Sequence, residues 1–183
     1  MYIQTEETPN PNALKFLPGE TVMQEGTMFI AKKEEAARSP MAGALFQISG
    51  VEAVFLGSDF VTVTKNESSR WEILKPMILT EIMDFYVTGK AMTSEVKETA
   101  KPQVDDSDPL VKQIKELIET RVRPAVAQDG GDIIFRSFHD GIVELELHGS
   151  CSGCPSSTAT LKDGIENMLK HYVPEVKSVE AVA

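Results

Sequence analysis

The two cysteines of this chain are the residues whose type and spacing point most directly to chemistry. Cys151 and Cys154 are the only cysteines in a sequence of 183 residues, and they are separated by Ser152 and Gly153. Two cysteines cannot build a disulfide framework, and a Cys-x-x-Cys pair in a reducing compartment is typical of metal ligands or of a redox couple. Cys151 and Cys154 are therefore the candidate ligands of a metal or a metal-containing cofactor.

The residues around the pair predict that it lies where a strand ends and a helix begins. Alternating apolar residues precede it, and Pro155 suits the first position of a helix. A helix N-terminus offers unpaired amide groups and the positive end of the helix dipole. We therefore expect the pKa of both thiols to be lowered from about 8.5 towards neutrality. Gly149 and Gly153 would let the backbone turn closely around a bulky group.

One chain supplies only two thiolates at this site. Iron–sulfur clusters and structural zinc sites generally have four protein ligands. The simplest way to complete the set is a second copy of the chain, with Cys151 and Cys154 of each copy sharing one group across a two-fold axis. We expect a group held in this way to be exposed and able to leave when the dimer opens, which suits a carrier.

Other interpretations of the cysteine pair remain beside this one. Cysteine is often a small buried apolar residue, but Gly-rich and Ser-rich neighbours argue against that role here. A zinc ion shared by two chains would use the same thiolates. A thioredoxin-like thiol–disulfide oxidoreductase also has its cysteines at a helix start, but too little chain follows Cys154 for that fold. Disulfide exchange is thus the runner-up from the enzyme class, and the favoured expectation is that the protein is not an enzyme.

The histidines and glutamates of the same region are not expected to take part in the site. His148 lies three residues before Cys151, but its alternation with Leu147 predicts that it points to solvent. His139 falls in a hairpin loop and His171 on the last helix, and both are expected at the surface. Two glutamates, Glu144 and Glu146, are expected on the solvent face of a strand.

Composition and charge exclude several classes of function. The chain has 18 basic and 28 acidic side chains, and a net charge of −10 disfavours binding to a phosphate backbone. The longest stretch without a charged residue, 147–161, is rich in Gly, Ser and Thr, whereas a membrane-spanning helix needs about 20 mainly apolar residues. The first residues resemble neither a secretory signal nor a transit peptide. We expect no nucleic-acid partner, no membrane association and a cytoplasmic location, or the mitochondrial matrix for a processed eukaryotic chain.

The first 88 residues predict a small unit of mixed helix and strand. Short β-like runs occur at residues 2–7, 13–16, 51–56 and 60–64. Ser39 and Pro40 form a cap and a first helical residue for a short helix. A longer helix through Tyr86 is indicated by apolar residues at helical spacing, which are expected to pack in the core rather than form a partner surface: Trp71, Leu74, Ile78, Ile82 and Phe85.

Residues 109–183 predict the element order α-β-β-α-β. Asp108 and Pro109 suit the start of the first helix, and Pro124 is expected to kink or restart it. The second helix is expected to end near Pro174, and residues 176–182 can form the last strand.

The hairpin between these two helices is predicted to close around Asp140. A three-residue loop is preferred to a two-residue turn, because only the longer loop places Ile133 and Phe135 on the buried face. The preceding Gly130 and Gly131 are assigned to a turn, since they follow a helix and precede a strand, the reverse of the order in a phosphate-binding loop.

The segment between the two units, residues 89–108, has no aromatic residue and little apolar content. It is predicted to be a flexible linker. The expected fold class is therefore α+β, with two small α+β domains at 1–88 and 109–183 joined by this linker.

Longer stretches of the sequence resemble one protein family. Residues 129–132 (Asp-Gly-Gly-Asp), followed by a hairpin and by residues 149–157 around the cysteines, resemble the C-terminal NifU-like domain of iron–sulfur scaffold and carrier proteins. Four other stretches resemble the N-terminal Nfu domain of the same family: residues 8–16, 39–42, 46–51 and 59–65. Together these stretches lie in both predicted domains, on either side of the linker.

The resemblance implies a function and a cofactor. It implies a protein that receives or assembles a [4Fe–4S] cluster and delivers it to apo iron–sulfur proteins, after receiving it from upstream assembly proteins. It also implies a dimer or larger assembly bridged by the cluster, with only Cys151 and Cys154 carried over as ligands. The N-terminal domain is expected to recognise partners, through residues that the resemblance does not identify.

Overall fold

The computed structural model describes residues 2–90, 108–153 and 155–182. The chain divides into two compact units, Met1–Lys97 and Glu98–Ala183. The predicted linker falls almost entirely outside the described residues, and so does Cys154. The domain boundaries at 88 and 109 therefore stay a prediction.

The first unit is built on a five-stranded antiparallel sheet. Its strands, in the spatial order β1-β2-β5-β4-β3, are β1 (Gln4–Glu7), β2 (Ala13–Leu17), β3 (Met28–Ile30), β4 (Val51–Leu56) and β5 (Val61–Lys65). A 3-10 turn at Lys33–Arg38 and helix α1 (Pro40–Leu45) follow β3, and helix α2 (Trp71–Thr88) follows β5. The four predicted strands are confirmed, whereas β3 and the 3-10 turn were not predicted.

Local chemistry explains where the helices of this unit begin and end. The Ser39 hydroxyl accepts a hydrogen bond from the Ala42 amide at 3.2 Å, and Pro40 is the first residue of α1, as predicted. Helix α2 ends at Gly89, whose φ of 64° a residue with a side chain rarely adopts. Its predicted core face is confirmed, because the residues Leu74, Ile78, Ile82 and Phe85 are buried.

The second unit has the predicted order α-β-β-α-β. Helix α3 (Pro109–Leu117) continues through a π-helical stretch (Ile118–Val122) into α4 (Arg123–Gln128), and the remaining elements are β6 (Gly131–His139), β7 (Ile142–Gly149), α5 (Pro155–Tyr172) and β8 (Ser178–Val182). Pro124 lies in the first turn of α4, so the restart predicted at this proline is confirmed. Strand β7 is central, antiparallel to β6 and parallel to β8.

The β6–β7 hairpin corrects the predicted loop. His139 pairs with Ile142, so the turn is the two-residue one, with Asp140 at φ 53° and Gly141 at φ 85°. Positive φ at both central residues matches a type I′ turn, whose twist fits that of the strands. The expected three-residue loop was therefore wrong.

The buried face of the hairpin is nevertheless the predicted one. A β-bulge lies at Arg136, so Phe135 pairs with Leu145 and Ser137 pairs with Glu144. The extra residue shifts the register by one, and Ile133 and Phe135 are consequently buried at 1% and 8% exposure. The bulge, and not a three-residue loop, therefore places Ile133 and Phe135 on the buried face.

The α+β fold class predicted from the sequence is confirmed by these elements. Among the helices of the described residues, none is both long enough and apolar enough to cross a membrane.

Candidate metal centre

Cys151 lies between the last strand of the hairpin and the helix that follows it. It comes two residues after β7 ends at Gly149, and four residues before α5 begins at Pro155. Gly149 and Gly153 have φ values of 67° and 78°, so the predicted glycine turns around the cysteines are confirmed. The predicted position between strand and helix is confirmed for Cys151, and Cys154 falls outside the described residues.

The side chain of Cys151 is turned into the protein. It is 7% exposed and belongs to the hydrophobic core of the second unit, together with Val126 and Ile133. In this conformation the sulfur is therefore buried, and the expected exposure of a group shared by two chains stays a prediction. The Gly-rich loop turns the thiol inward, where apolar side chains replace water around it.

Gly131 leaves the space that the sulfur occupies. A Cβ atom built on Gly131 would lie 2.7 Å from the Cys151 Sγ atom and 2.8 Å from the carbonyl oxygen of His148. The two glycines that open and close the hairpin, Gly131 and Gly149, are paired across β6 and β7. Any side chain at Gly131 would therefore collide with both the sulfur and the neighbouring backbone.

Sequence reasoning missed this function of Gly131. It assigned both glycines to a turn, but only Gly130 has a positive φ, at 78°, whereas Gly131 already belongs to β6. A second glycine that the turn does not require is the signal for a close approach of another group.

Hydrogen bonds on both sides hold the loop that carries Cys151. The Ser150 hydroxyl donates to the Asp129 carbonyl oxygen, and the Ser150 amide donates to the Gly130 carbonyl oxygen at 3.2 Å. The Ser152 amide donates to Gly149 at 3.1 Å, and the Thr158 hydroxyl, in the first turns of α5, donates to the Cys151 carbonyl oxygen at 3.0 Å. The loop is thus tied to the Asp129–Gly130 turn on one side and to α5 on the other.

The Cys151 thiol is harder to ionise than an ordinary thiol. Burial is the main cause and raises the pKa of Cys151 to about 11; the hydrogen bond with the Ser150 hydroxyl opposes it, and the carboxylates of Asp129 and Asp132 add smaller effects that raise the pKa further. The lowered pKa expected from the sequence is wrong for Cys151 in this conformation, because desolvation disfavours the charged thiolate.

An ion pair fixes the strand residue that follows Gly131. The Asp132 side chain is 4% exposed, and its two oxygens each accept a hydrogen bond of 2.7 Å from the Arg123 guanidinium. The Ile133 amide also donates to Asp132 Oδ1 at 2.8 Å, while Arg123 extends to Glu119 on the solvent side. Helix α4 is thereby fastened to the start of β6, where the sulfur lies.

The histidines are placed differently from one another. His139 and His171 are exposed, as expected. The side chain of His148 is only 12% exposed and its Nε2 atom lies 2.7 Å from Glu146 Oε1, so the expectation that it points to solvent is wrong. Arg136 also pairs with Glu146, which is therefore part of a polar cluster and not a fully solvated residue. None of these contacts brings a histidine to the Cys151 sulfur.

Within the described residues, no three His, Cys, Asp or Glu side chains come together as a group that could hold a metal ion. Among the described residues, the one cysteine thiol is that of Cys151. Thiolate donors suit iron–sulfur clusters, zinc and copper(I).

Comparisons with known proteins give both units a family. A family described as scaffold protein Nfu/NifU N terminal matches residues 3–89, and the NifU-like domain family matches residues 114–180. One similar solved structure is the solution NMR structure of a NifU-like protein from Saccharomyces cerevisiae, with which this chain shares 30% sequence identity. The matched region covers 52% of this chain and 86% of the yeast chain, with a TM-score of 0.47.

Several relatives match the whole chain, among them a human protein and one from Drosophila persimilis. The human protein named NFU1 iron-sulfur cluster scaffold homolog, mitochondrial, is 51% identical over 183 residues, and the chain covers 72% of its length. The protein of the same name from Drosophila persimilis is 50% identical over 184 residues, and the chain covers 65% of its length. With both domain families matched in order and half of all residues identical to the human relative, the chain belongs to the Nfu/NifU family of scaffold proteins.

Proposed function

We propose that this protein carries an iron–sulfur cluster of the [4Fe–4S] type between two copies of the chain and transfers it to apo iron–sulfur proteins. Cys151 and Cys154 of each copy are the proposed ligands, which gives the four thiolates that such a cluster takes. The observation that carries the proposal is the position of Cys151 in the NifU-like domain, on a glycine-bounded loop between β7 and α5. The names of the relatives, which describe cluster scaffolds, support it.

Binding the cluster requires the loop to change. In this conformation the Cys151 sulfur lies against Gly131 and holds its proton, because burial keeps its pKa high. To reach a cluster shared with a second copy, the sulfur turns outward and its proton leaves to solvent as the iron–sulfur bond forms. Iron favours the thiolate strongly enough to offset the raised pKa, and metal binding to thiols therefore releases protons.

The inward position of Cys151 also favours release. When a recipient's thiolates replace those of this protein, the Cys151 sulfur takes up a proton from solvent, and the neutral side chain can return to the apolar space beside Gly131. Burial of the neutral Cys151 side chain lowers the free energy of the chain that has released its cluster. Delivery to a recipient with a preorganised ligand set is therefore thermodynamically favourable. This behaviour suits a carrier, whose cargo must leave.

The remaining features of the proposal concern partners and location. Apo iron–sulfur proteins are the proposed recipients, and upstream cluster-assembly proteins are the proposed donors. The relatives are named as mitochondrial proteins, which favours the mitochondrial matrix over the cytoplasmic location expected from the sequence. No reaction beyond ligand exchange is proposed, so the protein is not an enzyme in this account.

Cluster transfer to a defined recipient tests the function. Holo-protein is mixed anaerobically with an apo [4Fe–4S] enzyme in the presence of a chelator that traps free iron, and recovery of the enzyme's activity is followed. We expect recovery faster than with the same amounts of free iron and sulfide. Cys151→Ala and Cys154→Ala should each abolish the recovery, because one thiolate per chain cannot complete the ligand set.

A matched control separates loss of a ligand from loss of structure. Ser152→Ala changes one of the two residues between the cysteines without removing a thiolate, and this variant should transfer the cluster as the unchanged protein does. Activation that survives either cysteine substitution refutes the proposal. Zinc binding in place of iron and sulfide, or disulfide reductase activity in the same samples, would favour the shared zinc site or the oxidoreductase instead.

A further inference from the structure

Helix α2 carries a second apolar face on the side away from its core. The exposed fractions of four large apolar side chains on it are 64% for Ile73, 48% for Met77, 40% for Met83 and 79% for Val87. These residues follow one another at steps of four, six and four, so they line one side of the helix, opposite the buried Ile78 and Ile82. An ordinary surface helix is polar on that side, and the core of the unit does not need this face.

The polar groups on the same side are acceptors. Glu72 and Asp84 are exposed carboxylates, and in the described parts of the chain no cation lies within ion-pair distance of either. The Thr80 hydroxyl donates to the Pro76 carbonyl oxygen at 2.9 Å, so its donor is used within the helix. Pro76 has no amide hydrogen, which removes the helical hydrogen bond to the carbonyl of Glu72. We call these residues the solvent face of α2: Glu72, Ile73, Pro76, Met77, Thr80, Met83, Asp84 and Val87.

The size of the apolar patch indicates a transient contact. Its four side chains expose on the order of 400 Å² together, which is the size at which exposed patches on monomers are often functional. A stable interface buries about 800 Å² on each partner. The exposed apolar area on the solvent face of α2 is about half of that buried area, which suits a partner that binds and then leaves.

Charge decides between a second copy and a different partner. A second copy would bring two acidic faces together, between chains that each carry a net charge of −10. A partner with Lys or Arg side chains beside an apolar stripe would meet the carboxylates of Glu72 and Asp84 and the apolar groups between them.

We propose that the solvent face of α2 is the surface on which the first unit docks a cluster recipient, through an amphipathic segment whose apolar stripe is flanked by Lys or Arg. The recipient in this statement rests on the proposed function, whereas the chemistry of the docked segment rests on the face itself. Docking on the first unit would raise the local concentration of the recipient near the cluster carried by the second unit.

Two synthetic amphipathic helices test the face without any cluster. They share one leucine stripe, and one is flanked by Lys while the other is flanked by Glu. Fluorescence anisotropy with the full, cluster-free chain should show the Lys-flanked peptide binding at least about tenfold more tightly. The triple variant Ile73→Gln, Met77→Gln and Val87→Gln keeps good helix formers in α2 and should lose about tenfold or more in affinity.

Matched controls exclude general attraction to an acidic protein. Glu72→Gln with Asp84→Asn should weaken binding of the Lys-flanked peptide, whereas Glu34→Gln with Glu35→Gln, which removes two exposed charges elsewhere on the same unit, should not. Tyr2→Gln removes a side chain that is 80% exposed outside α2 and should also leave binding unchanged. Equal binding of both peptides, or equal binding by the triple variant, overturns the proposal.

A second arm uses cluster transfer and separates the two proposals. The triple variant should load the same amount of cluster per chain but deliver it to a dilute apo recipient with a second-order rate constant lowered about tenfold. Normal delivery by the triple variant refutes the docking surface. Failure of the unchanged protein to load or deliver the cluster refutes the proposed function. The peptide-binding result still shows in that case whether the solvent face of α2 binds a basic amphipathic segment. Sedimentation that shows self-association lost in the triple variant would assign the face to a second copy.

Discussion

The Cys151 sulfur lies where a side chain on Gly131 would have to be, since a Cβ atom there would come within 2.7 Å of it. The same Cβ would lie 2.8 Å from the His148 backbone oxygen, which the β6–β7 ladder holds in place. The sulfur of the proposed ligand and the first residue of β6 are therefore packed against each other.

Substitution of Gly131 by alanine tests this packing. We expect Gly131→Ala to destabilise the second unit by about 1–3 kcal/mol, because the backbone oxygen cannot move away and the sulfur must. The loss can be measured as reduced hydrogen-exchange protection of the β6 and β7 amides in the full chain. Gly164→Ala in helix α5 is the matched control, since a Cβ atom built on Gly164 meets nothing within 4 Å. This variant should be more stable than the unchanged protein by about 0.5–1 kcal/mol in the free energy of unfolding. Similar protection in both variants would show that the close contact does not constrain the site.

The ion pair behind Gly131 gives a second prediction. Asp132→Asn keeps the shape of the side chain but removes the negative charge that receives two hydrogen bonds from Arg123. We expect the free energy of unfolding of the second unit to fall by about 1.5–3 kcal/mol in the same hydrogen-exchange measurement, because a hydrogen bond between charged groups is lost at a mostly buried position. Glu119→Gln, at the 60%-exposed end of the same network, should cost less than about 1 kcal/mol. A larger effect at Glu119 than at Asp132 would contradict this assignment.

The polar cluster at Glu146 predicts a dependence on pH. Burial opposes ionisation of Glu146, but hydrogen bonds from His148 and Arg136 outweigh it and hold the pKa of Glu146 below its usual value of 4.5. A carboxylate with a lowered folded pKa stabilises the fold above its unfolded pKa, and that contribution disappears as the pH falls through the folded value.

Glu146→Gln tests this dependence. The substitution should cost about 0.5–1 kcal/mol at neutral pH, because the pair is partly solvated, and should cost progressively less as the pH falls below 4.5. Denaturation of both proteins from pH 7 to pH 3 checks the sign. A difference that grows on acidification would mean that Glu146 is not the group responsible.

Element types were predictable from the sequence because apolar spacing and capping residues act locally. Ser39 at its cap and Pro124 at the restart of a helix lie where their backbone chemistry places them. The bulge at Arg136 could not be predicted, since no feature of Arg136 itself distinguishes it and the register depends on packing across the sheet. Strand β3 has only three residues, too few for its pattern to stand out.

The chemistry of the site was only partly predictable for the same reason. The type and spacing of Cys151 and Cys154 are features of sequence, but the inward turn of Cys151 depends on a space that Gly131 leaves from another strand. The exposed apolar side of α2 was missed because the periodicity of its core residues, such as Ile78, already explained the helix. Apolar residues on both sides of one helix are the signal that would have revealed it.

Cluster stoichiometry tests the central claim most directly. The full chain is reconstituted anaerobically with iron, sulfide and reductant, and iron, acid-labile sulfide, absorption and sedimentation are measured on the same sample. The account predicts a [4Fe–4S] cluster at about half a cluster per chain on a dimer or larger species, because four thiolates require two copies of Cys151 and Cys154. A full cluster on a monomer, or zinc bound without sulfide, would contradict it.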